Sequence, residues 1–338
     1  MRIALAQTNI IWEDKQTNLV RAEEFVIAAD AELVLFPEMS LTGFSMHTDV
    51  TAEICQPDAE IQSRAQMDCT PDMTNQPTTG WTIEQVSSLA RRHHKTIGIG
   101  WVKKTEPLCE NHYSIVMPDG KIAMDYAKIH PFSYGEEHAH FRGGENLCTG
   151  WLGEFQAGLA ICYDLRFPEQ FRAMVPETEI FIVAANWPAA RASHWKTLLA
   201  ARAIENQCYV AGVNCCGDMD GQYYSGDSGV YAPDGSLLVP TKKIRLTDAL
   251  CKEEKLLVYD IQNDVAKIRK AFAEEIPGTT KLIIAQRVSS IQNADHIIVM
   301  ENGTINGYGT HDELMENNEI YRDVYESQTS GSGDFDEM

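Results

Sequence analysis

GLAICYDLRFPEQFR, residues 158–172, places a cysteine between two predicted elements. Its apolar first part is typical of a buried strand, and Pro168 followed by Glu169 is typical of the first turn of a helix. Backbone N–H groups converge at such a turn, and the positive end of the following helix stabilises a thiolate. Cys162 is therefore a candidate nucleophile beside an anion-binding pocket, although most single cysteines in apolar runs are inert small hydrophobes.

Two other predicted strands also end in ionisable residues. The apolar run at 33–36 stops just before Glu38, and a later strand ends by presenting Lys128. Strands that alternate with helices predict a layered α/β domain, and polar residues at several strand ends predict one site at their shared edge. We therefore expect Glu38, Lys128 and Cys162 to meet there. A solvated turn carboxylate is the alternative for Glu38 taken alone.

The other elements are predicted from periodicity and turn signals. Predicted strands are residues 1–10, 96–102, 180–185, 208–214, 228–232 and 255–260, with a hairpin over 112–126. Predicted helices are residues 15–30, 81–95 and 194–206, the last capped by Ser193 and facing a core with Trp195, Leu198, Leu199 and Ile204. We interpret residues 52–79 as a long surface loop, either a lid or a plain insertion.

The three ionisable side chains cover the roles needed to cleave an amide or a nitrile. Such hydrolysis needs a nucleophile, a base, a proton donor for the leaving amine and positive groups for the oxyanion. Cys162 would attack the carbonyl carbon, and Glu38 would take its proton and later return it to the departing ammonia. Lys128 and the N–H of Tyr163 would hold the oxyanion. Water would then hydrolyse the thioester, so this mechanism needs no metal and no other cofactor.

Three motifs carry a resemblance to a known family. FPEMSLTGF (36–44), YAKIHPF (126–132) and ICYDLRFPE (161–169) resemble the Glu, Lys and Cys motifs of the nitrilase superfamily of carbon–nitrogen hydrolases. The resemblance covers residues 1–270, and ANWPAARASHWKTLLAARAIENQCYVAGVN (185–214) is similar to the omega-amidase branch. It implies an αββα four-layer sandwich, a cysteine acyl-thioester, no cofactor, and a homodimer that pairs sandwiches across the cysteine-bearing edge.

The resemblance also implies further site residues. The family's second glutamate maps best onto Glu137, with Glu136 as the open alternative. The implied substrate is a small ω-amide of a dicarboxylic acid, such as 2-oxoglutaramate, whose free carboxylate needs a cationic or N–H partner. Candidate substrate-binding residues are Arg166, Arg142 and Arg191, for each of which a structural ion pair is equally open, and Asn186 and Trp187, which follow a predicted strand.

The last fifth of the chain differs in composition. Residues 273–338 hold 13 acidic and 3 basic residues, a net charge of −10. Residues 279–328 resemble the last part of an ABC-transporter nucleotide-binding domain, with Gln286 at the position of the switch histidine. The sequence contains no G-x-x-x-x-G-K-[ST] loop, so ATP binding is not expected. We predict an ABC-like α/β fragment at 271–328, joined by gene fusion or by a reading-frame or assembly accident rather than as a working second domain, and a disordered acidic tail at 329–338.

Composition excludes several classes of function. A net charge of −21 argues against nucleic acid as a partner. The histidines at 130, 138 and 140 match no standard zinc spacing, so no metal site is expected. No apolar run approaches the roughly 20 residues of a membrane span, and the N-terminus lacks the features of a signal peptide. Nine cysteines without a disulfide-like spacing fit a reducing compartment, and we expect a cytoplasmic protein.

Three alternatives to the amidase remain open at this point. The ABC-like segment could dock on a transporter, which would make the chain an interaction protein. The same Glu, Lys and Cys set would also serve a carbamoyl compound or a nitrile. Finally, the fused segment could block the dimer edge and leave the enzyme inactive.

Overall fold

In a computed structural model the chain divides into two compact units, Met1–Phe272 and Ala273–Met338. The structure describes residues 1–55, 80–175, 177–269, 288, 291–292, 294–301 and 303–329. Most of the predicted 52–79 loop and nearly all of the predicted 329–338 tail therefore lie outside the described residues.

The first unit is built from strands that follow the apolar runs of the sequence. Its strands are β1 (Arg2–Gln7), β2 (Leu33–Leu35), β3 (Thr96–Lys103), β4 (Glu110–Val116), β5 (Ile122–Ala127), β6 (Thr149–Leu152), β7 (Phe155–Ile161), β8 (Ile180–Ala185), β9 (Tyr209–Asn214), β10 (Cys216–Met219), β11 (Gln222–Ser225), β12 (Gly229–Tyr231), β13 (Lys242–Ile244) and β14 (Lys255–Asp260). Its helices are Lys15–Ala28, Thr48–Thr51, Trp81–His93, Glu137–His140, Pro168–Ala173 and Ala192–Asn206.

These strands form two large sheets and one hairpin. The seven-stranded sheet has the order β13-β14-β1-β2-β3-β4-β5, with β1, β2 and β3 parallel. The five-stranded sheet has the order β12-β9-β8-β7-β6, with β7, β8 and β9 parallel. Strands β10 and β11 form a separate antiparallel hairpin. The carboxyl ends of neighbouring parallel strands lie at the same edge of a sheet. The polar residues that follow the predicted strands are located at this edge.

The two sheets pack face to face and are covered by helices. One buried cluster joins Leu5 and Tyr113 of the seven-stranded sheet to Leu159 and Ile182 of the five-stranded sheet. A second cluster packs the other face of the seven-stranded sheet against the helices Lys15–Ala28 and Trp81–His93. The outer face of the five-stranded sheet packs against the two later helices, where Phe171 meets Phe181 at 4.9 Å between ring centroids. The predicted αββα sandwich is confirmed.

The helix Ala192–Asn206 departs from its prediction in two details. It begins directly after a turn at Ala189–Arg191, so Arg191 is its N-cap and Ser193 lies inside the first turn. Trp195 and Leu199 are buried as predicted, but Ile204 is 55% exposed. Ile204 lies five residues after Leu199, about 140° around the helix, and therefore faces away from the sheet.

The second unit has its own small core. Strands β15 (Ile297–Glu301) and β16 (Thr304–Gly309) form a hairpin, followed by the helices His311–Asn317 and Glu319–Thr329. The first helix starts with a capping box, in which the hydroxyl of Thr310 accepts from Glu313 N and the Glu313 carboxylate accepts from Thr310 N. The core of this unit consists of Val288, Ile297, Leu314 and Tyr321. The resemblance of this unit to an ABC-transporter domain stays a prediction, and Gln286 lies outside the described residues.

Among the described residues, no helix is both long enough and apolar enough to cross a membrane.

A buried charged cluster lies between β4 and β5. His112 Nδ1 is 3.1 Å from both carboxylate oxygens of Asp125, and its Nε2 is 3.1 Å from Glu110 Oε2. Burial acts to lower the pKa of His112, but hydrogen bonds to the two carboxylates outweigh it and raise the pKa above its ordinary value. The pKa values of Glu110 and Asp125 are lowered, in part by hydrogen bonds to His112.

We expect His112→Gln to lower the free energy of unfolding, and to do so more at about pH 5.5 than at about pH 9. A raised pKa contributes stability below the unfolded-state pKa of His, and this contribution is lost as pH rises through the folded-state pKa. The lowered pKa values of the carboxylates contribute above their unfolded-state pKa and are lost only in acid. Urea unfolding at both pH values would measure the difference, with the exposed His138→Gln as the control. An equal loss at both pH values would contradict the charged cluster.

Candidate active site

The predicted site residues follow the ends of strands in both sheets. Glu38 follows β2, Lys128 follows β5, Cys162 follows β7 and Asn186 follows β8. The structure brings all four side chains together, although up to 148 positions separate them in the sequence. As expected, Glu38, Lys128 and Cys162 lie together at one edge of the sheets.

A glycine lets the backbone around Glu38 lie close to β3. A Cβ atom added to Gly100 would clash with the backbone of Pro37, Glu38 and Met39. Ser40 N donates to the carbonyl of Gly100 at 2.9 Å, which fixes this close approach. The absence of a side chain at residue 100 thus helps to place the Glu38 carboxylate inside the site.

Lys128 is buried between two carboxylates. Its Nζ donates to Glu38 Oε1 at 2.9 Å and to the Glu137 oxygens at 2.8 and 3.0 Å. Burial alone would lower the pKa of Lys128, but the negative charges of Glu137 and Glu38 outweigh it and hold the pKa well above its ordinary value. Lys128 therefore stays protonated throughout the physiological pH range.

The structure distinguishes the two candidates for the second glutamate. Glu137 is fully buried and accepts from Lys128 and from the N–H of Phe132 at 2.6 Å. Glu136 is exposed, with φ +58° at the end of a short turn. Of the two, Glu137 is the residue that contacts Lys128.

Sequence reasoning missed Asn111, which joins the two glutamates. Its Nδ2 lies 2.8 Å from Glu38 Oε1 and 3.1 Å from Glu137 Oε1. Asn111 is 1% exposed inside β4, where every residue is buried. The sequence holds no clear signal for it, because the first strand of the predicted hairpin begins at residue 112 and four of the seven residues of β4 are polar.

Cys162 adopts a backbone conformation that most residues avoid. Its φ is +48°, at the junction between β7 and the short 3-10 helix Cys162–Arg166. Asp164, also missed from the sequence, holds this turn with one carboxylate. Its Oδ2 accepts from Ile161 N at 2.9 Å and from the Tyr126 hydroxyl at 2.7 Å, and its Oδ1 accepts from His130 N at 3.0 Å. The turn is therefore fixed before any substrate arrives.

The surroundings of Cys162 favour its protonated form. Burial, and then the negative charge of Glu38, raise the pKa of Cys162 well above its ordinary value, and the nearby charge of Lys128 only partly opposes this. This direction favours the protonated thiol over the thiolate that a helix start alone would favour. It agrees with the expected role of Glu38 as the group that takes the proton of Cys162.

A cavity of about 330 Å³ opens onto Cys162. Seven aromatic residues, two arginines and one acidic residue, Asp220, are among the residues that line it, and so are four of the five predicted substrate-binding residues. These four are Arg166, Arg191, Asn186 and Trp187, and Tyr163 also lines the cavity. Arg142 does not line this cavity. Its guanidinium is paired to Glu110 Oε1 at 2.7 Å, so of the two alternatives for Arg142 the structural ion pair applies.

The two cavity arginines lie over aromatic rings. The guanidinium of Arg166 is 5.0 Å from the ring centre of Trp187, and that of Arg191 is 5.3 Å from the ring centre of Tyr134. Arg166 Nη2 also lies 3.2 Å from His194 Nδ1. Within the part of the chain that the structure describes, neither guanidinium has a carboxylate partner. Both are therefore available to a carboxylate in the cavity.

No metal centre accompanies these groups in the described ranges. They contain no group of three or more His, Cys, Asp or Glu side chains that could hold a metal ion. The ring of His130 stacks on Phe167 at 3.6 Å between centroids, and its Nδ1 lies 2.8 Å from Asp164 Oδ1. Of the three loop histidines, this one is thus part of the turn that holds Cys162.

Comparison with known sequences identifies relatives over most of the chain. The profile of the carbon–nitrogen hydrolase family matches residues 2–270. The omega-amidase YafV of Yersinia enterocolitica is 35% identical over 231 residues, which cover 68% of this chain and 80% of that protein. The 2-oxoglutaramate amidase of Bacillus subtilis strain 168 is 29% identical over 241 residues, which cover 70% of this chain and 84% of that protein.

Solved structures show the same fold. A CN-hydrolase superfamily protein of Xanthomonas campestris, with an arsenic adduct in its active site, superposes with a TM-score of 0.65 at 28% identity, covering 84% of this chain and 98% of that one. A variant of the amidase from Nesterenkonia sp. AN1, in which acrylamide has added to the active-site cysteine, gives a TM-score of 0.61 at 25% identity, covering 81% and 98%.

Proposed function

The chain belongs to the carbon–nitrogen hydrolase family and is an amidase, and from this premise we propose that it hydrolyses the ω-amide of a small dicarboxylic acid, such as 2-oxoglutaramate, to the acid and ammonia. The observation that carries the proposal is the pair of cavity guanidiniums, Arg166 and Arg191, which have no carboxylate partner among the described residues. A substrate with a carboxylate at one end and an amide at the other matches this cavity and Cys162.

In the first half of the reaction Cys162 is the nucleophile. Glu38 takes the thiol proton as the sulfur attacks the amide carbon, so the thiolate forms only when substrate is present. The carbonyl oxygen becomes negative, and protonated Lys128 and the N–H of Tyr163 stabilise it. The proton on Glu38 then passes to the amide nitrogen, the C–N bond breaks, and ammonia leaves behind a thioester on Cys162.

In the second half water replaces ammonia. Glu38, now ionised again, takes a proton from water as the water oxygen attacks the thioester. Lys128 and the N–H of Tyr163 again stabilise the oxyanion. Collapse of this intermediate releases the acid and returns the proton to the sulfur. Glu137 and Asn111 position Lys128 and Glu38 throughout, because they hold these two groups by hydrogen bonds of 2.8 to 3.1 Å.

Arg166→Met and Arg191→Met test the proposed carboxylate site. We expect each substitution to lower kcat/KM for succinamate by about 10- to 100-fold, because a hydrogen bond to a charged group contributes about 1.5–3 kcal/mol. Butyramide has a similar length but no carboxylate, so we expect the wild-type protein to hydrolyse it much more slowly. In the variants its kcat/KM should change by less than about 3-fold. Ammonia release would be measured for both amides.

Arg142→Met is the matched control, since Arg142 lies outside the cavity. Arg142→Met should change kcat/KM for neither succinamate nor butyramide. Equal losses for succinamate and butyramide in the cavity variants would contradict carboxylate recognition by these arginines.

Four further predictions concern the assembly, the location and the second unit of this protein. The homodimer and the cytoplasmic location rest on the family resemblance and on composition. Docking of the ABC-like segment on a transporter, or inhibition by that segment, stays a prediction. Comparing the full chain with one truncated after Phe272 would test inhibition, because only an inhibitory segment predicts higher amidase activity on truncation.

A further inference from the structure

Asn186 has one polar atom without a partner. Its backbone N–H donates to Glu38 Oε2 at 2.9 Å, and its Nδ2 donates to the Glu38 carbonyl at 2.7 Å. Its side-chain Oδ1 is buried and has no hydrogen-bond partner among the described residues, and the residue as a whole is only 4% exposed. Asn186 nevertheless lines the cavity that opens onto Cys162.

The orientation of this amide is fixed by its neighbour. Exchanging Nδ2 and Oδ1 would place an oxygen against the Glu38 carbonyl oxygen, which accepts but cannot donate. The unpartnered atom is therefore an acceptor. A buried acceptor without a donor is destabilising, so an unpartnered acceptor beside a substrate cavity needs an explanation, and a donor on the ligand is one.

The proposed substrate carries the kind of donor that this acceptor lacks. Asn186 holds both the carboxylate and the carbonyl of Glu38, so a group bound to Oδ1 lies beside the residue that protonates the leaving nitrogen. A primary amide carries two N–H groups on that nitrogen. An ester of the same acid carries an oxygen without hydrogen at this position, and a nitrile nitrogen has no hydrogen at all.

We propose that Asn186 Oδ1 accepts an N–H of the scissile amide and thereby selects primary amides over esters and nitriles. The inference rests on the proposed function and assigns the part of the site that recognises the leaving nitrogen. With one N–H held by Asn186, the nitrogen lone pair that develops in the tetrahedral intermediate turns toward Glu38 and receives its proton.

The test compares substrates that share one acyl group. Succinamate and monomethyl succinate form the same thioester, and only the amide has an N–H. In Asn186→Ala, and in Asn186→Ser as a second variant, we expect the ratio of kcat/KM for the amide to that for the ester to fall about 10-fold or more. The ratio does not depend on how much of the variant is folded, since both substrates meet the same active molecules.

Asn214→Ala provides a matched control. Asn214 is also a buried amide at a strand end, and it binds the N–H of Trp187 at 2.7 Å and two carbonyls, so all of its polar atoms are used within the loop. This substitution should lower both activities together and leave the ratio unchanged.

The outcomes separate this inference from the proposed function. Wild-type activity on succinamate with an unchanged ratio in both Asn186 variants overturns the inference alone. A folded wild-type protein that releases no ammonia from any ω-amide overturns the proposed function as well. Independently of any variant, wild-type turnover of 3-cyanopropanoate as fast as that of succinamate would overturn selection for the amide nitrogen.

Discussion

Replacing Cys162 with alanine is expected to lower kcat for ω-amide hydrolysis by about 10⁴-fold or more, because in the proposed mechanism Cys162 is the group that forms the thioester. Cys162→Ser should keep only a trace of activity, since a hydroxyl is a much weaker nucleophile than a thiol beside the same carboxylate. Ammonia release from 2-oxoglutaramate would be measured for the full-length protein.

The fold should survive this substitution. Alanine is smaller than cysteine, and the turn at residue 162 is held by Asp164 rather than by the sulfur. The control is Cys208→Ala, a buried thiol at the start of β9. Its activity should stay close to that of the wild type. A Cys162→Ala protein that still turned over amides at a comparable rate would show that another residue is the nucleophile.

Lys128→Met is expected to lower the free energy of unfolding by about 3–5 kcal/mol and to abolish activity. The ammonium of Lys128 is the cation between Glu38 and Glu137, and all three side chains are at most 1% exposed. Removing it leaves two buried carboxylates facing each other without a counterion. The oxyanion would also lose its charged partner.

Urea unfolding followed by tryptophan fluorescence would measure this loss. All six tryptophans lie before residue 200, so the signal reports the first unit. The control is Lys121→Met, which removes an exposed ion pair with Asp119 at 3.4 Å and should cost less than about 1 kcal/mol. If Lys128→Met unfolded at the same urea concentration as the wild type, the carboxylates would have to share a proton instead.

The fold and the meeting of Glu38, Lys128 and Cys162 could be predicted from the sequence because both are marked by local signals. Apolar runs marked β2, β7 and β8, and each run stopped next to the polar residue that the site uses. The predicted positions of Glu38, Lys128 and Cys162 followed from these strand ends. The family motifs then added what local signals lack, namely which strand ends face one another.

Other parts of the site could not be predicted from short stretches. The partners of Asn111 are Glu38 and Glu137, 73 and 26 positions away, so its role depends on the pairing of strands. Arg142 and Arg166 carry the same charge in the sequence, and only the fold places one beside Glu110 and the other in the cavity. The pKa of Cys162 likewise depends on burial and on Glu38, neither of which the helix start after the cysteine reveals.

The positive φ of Cys162 has a consequence for directed evolution of this protein. Left-handed backbone costs a non-glycine residue about 1–2 kcal/mol, a cost that glycine does not have. Glycine at residue 162 would remove this backbone cost, but it would also remove the thiol and its buried contacts. Screens for thermostable variants should therefore measure turnover in every round, because a substitution that relieves the backbone at this position abolishes catalytic activity.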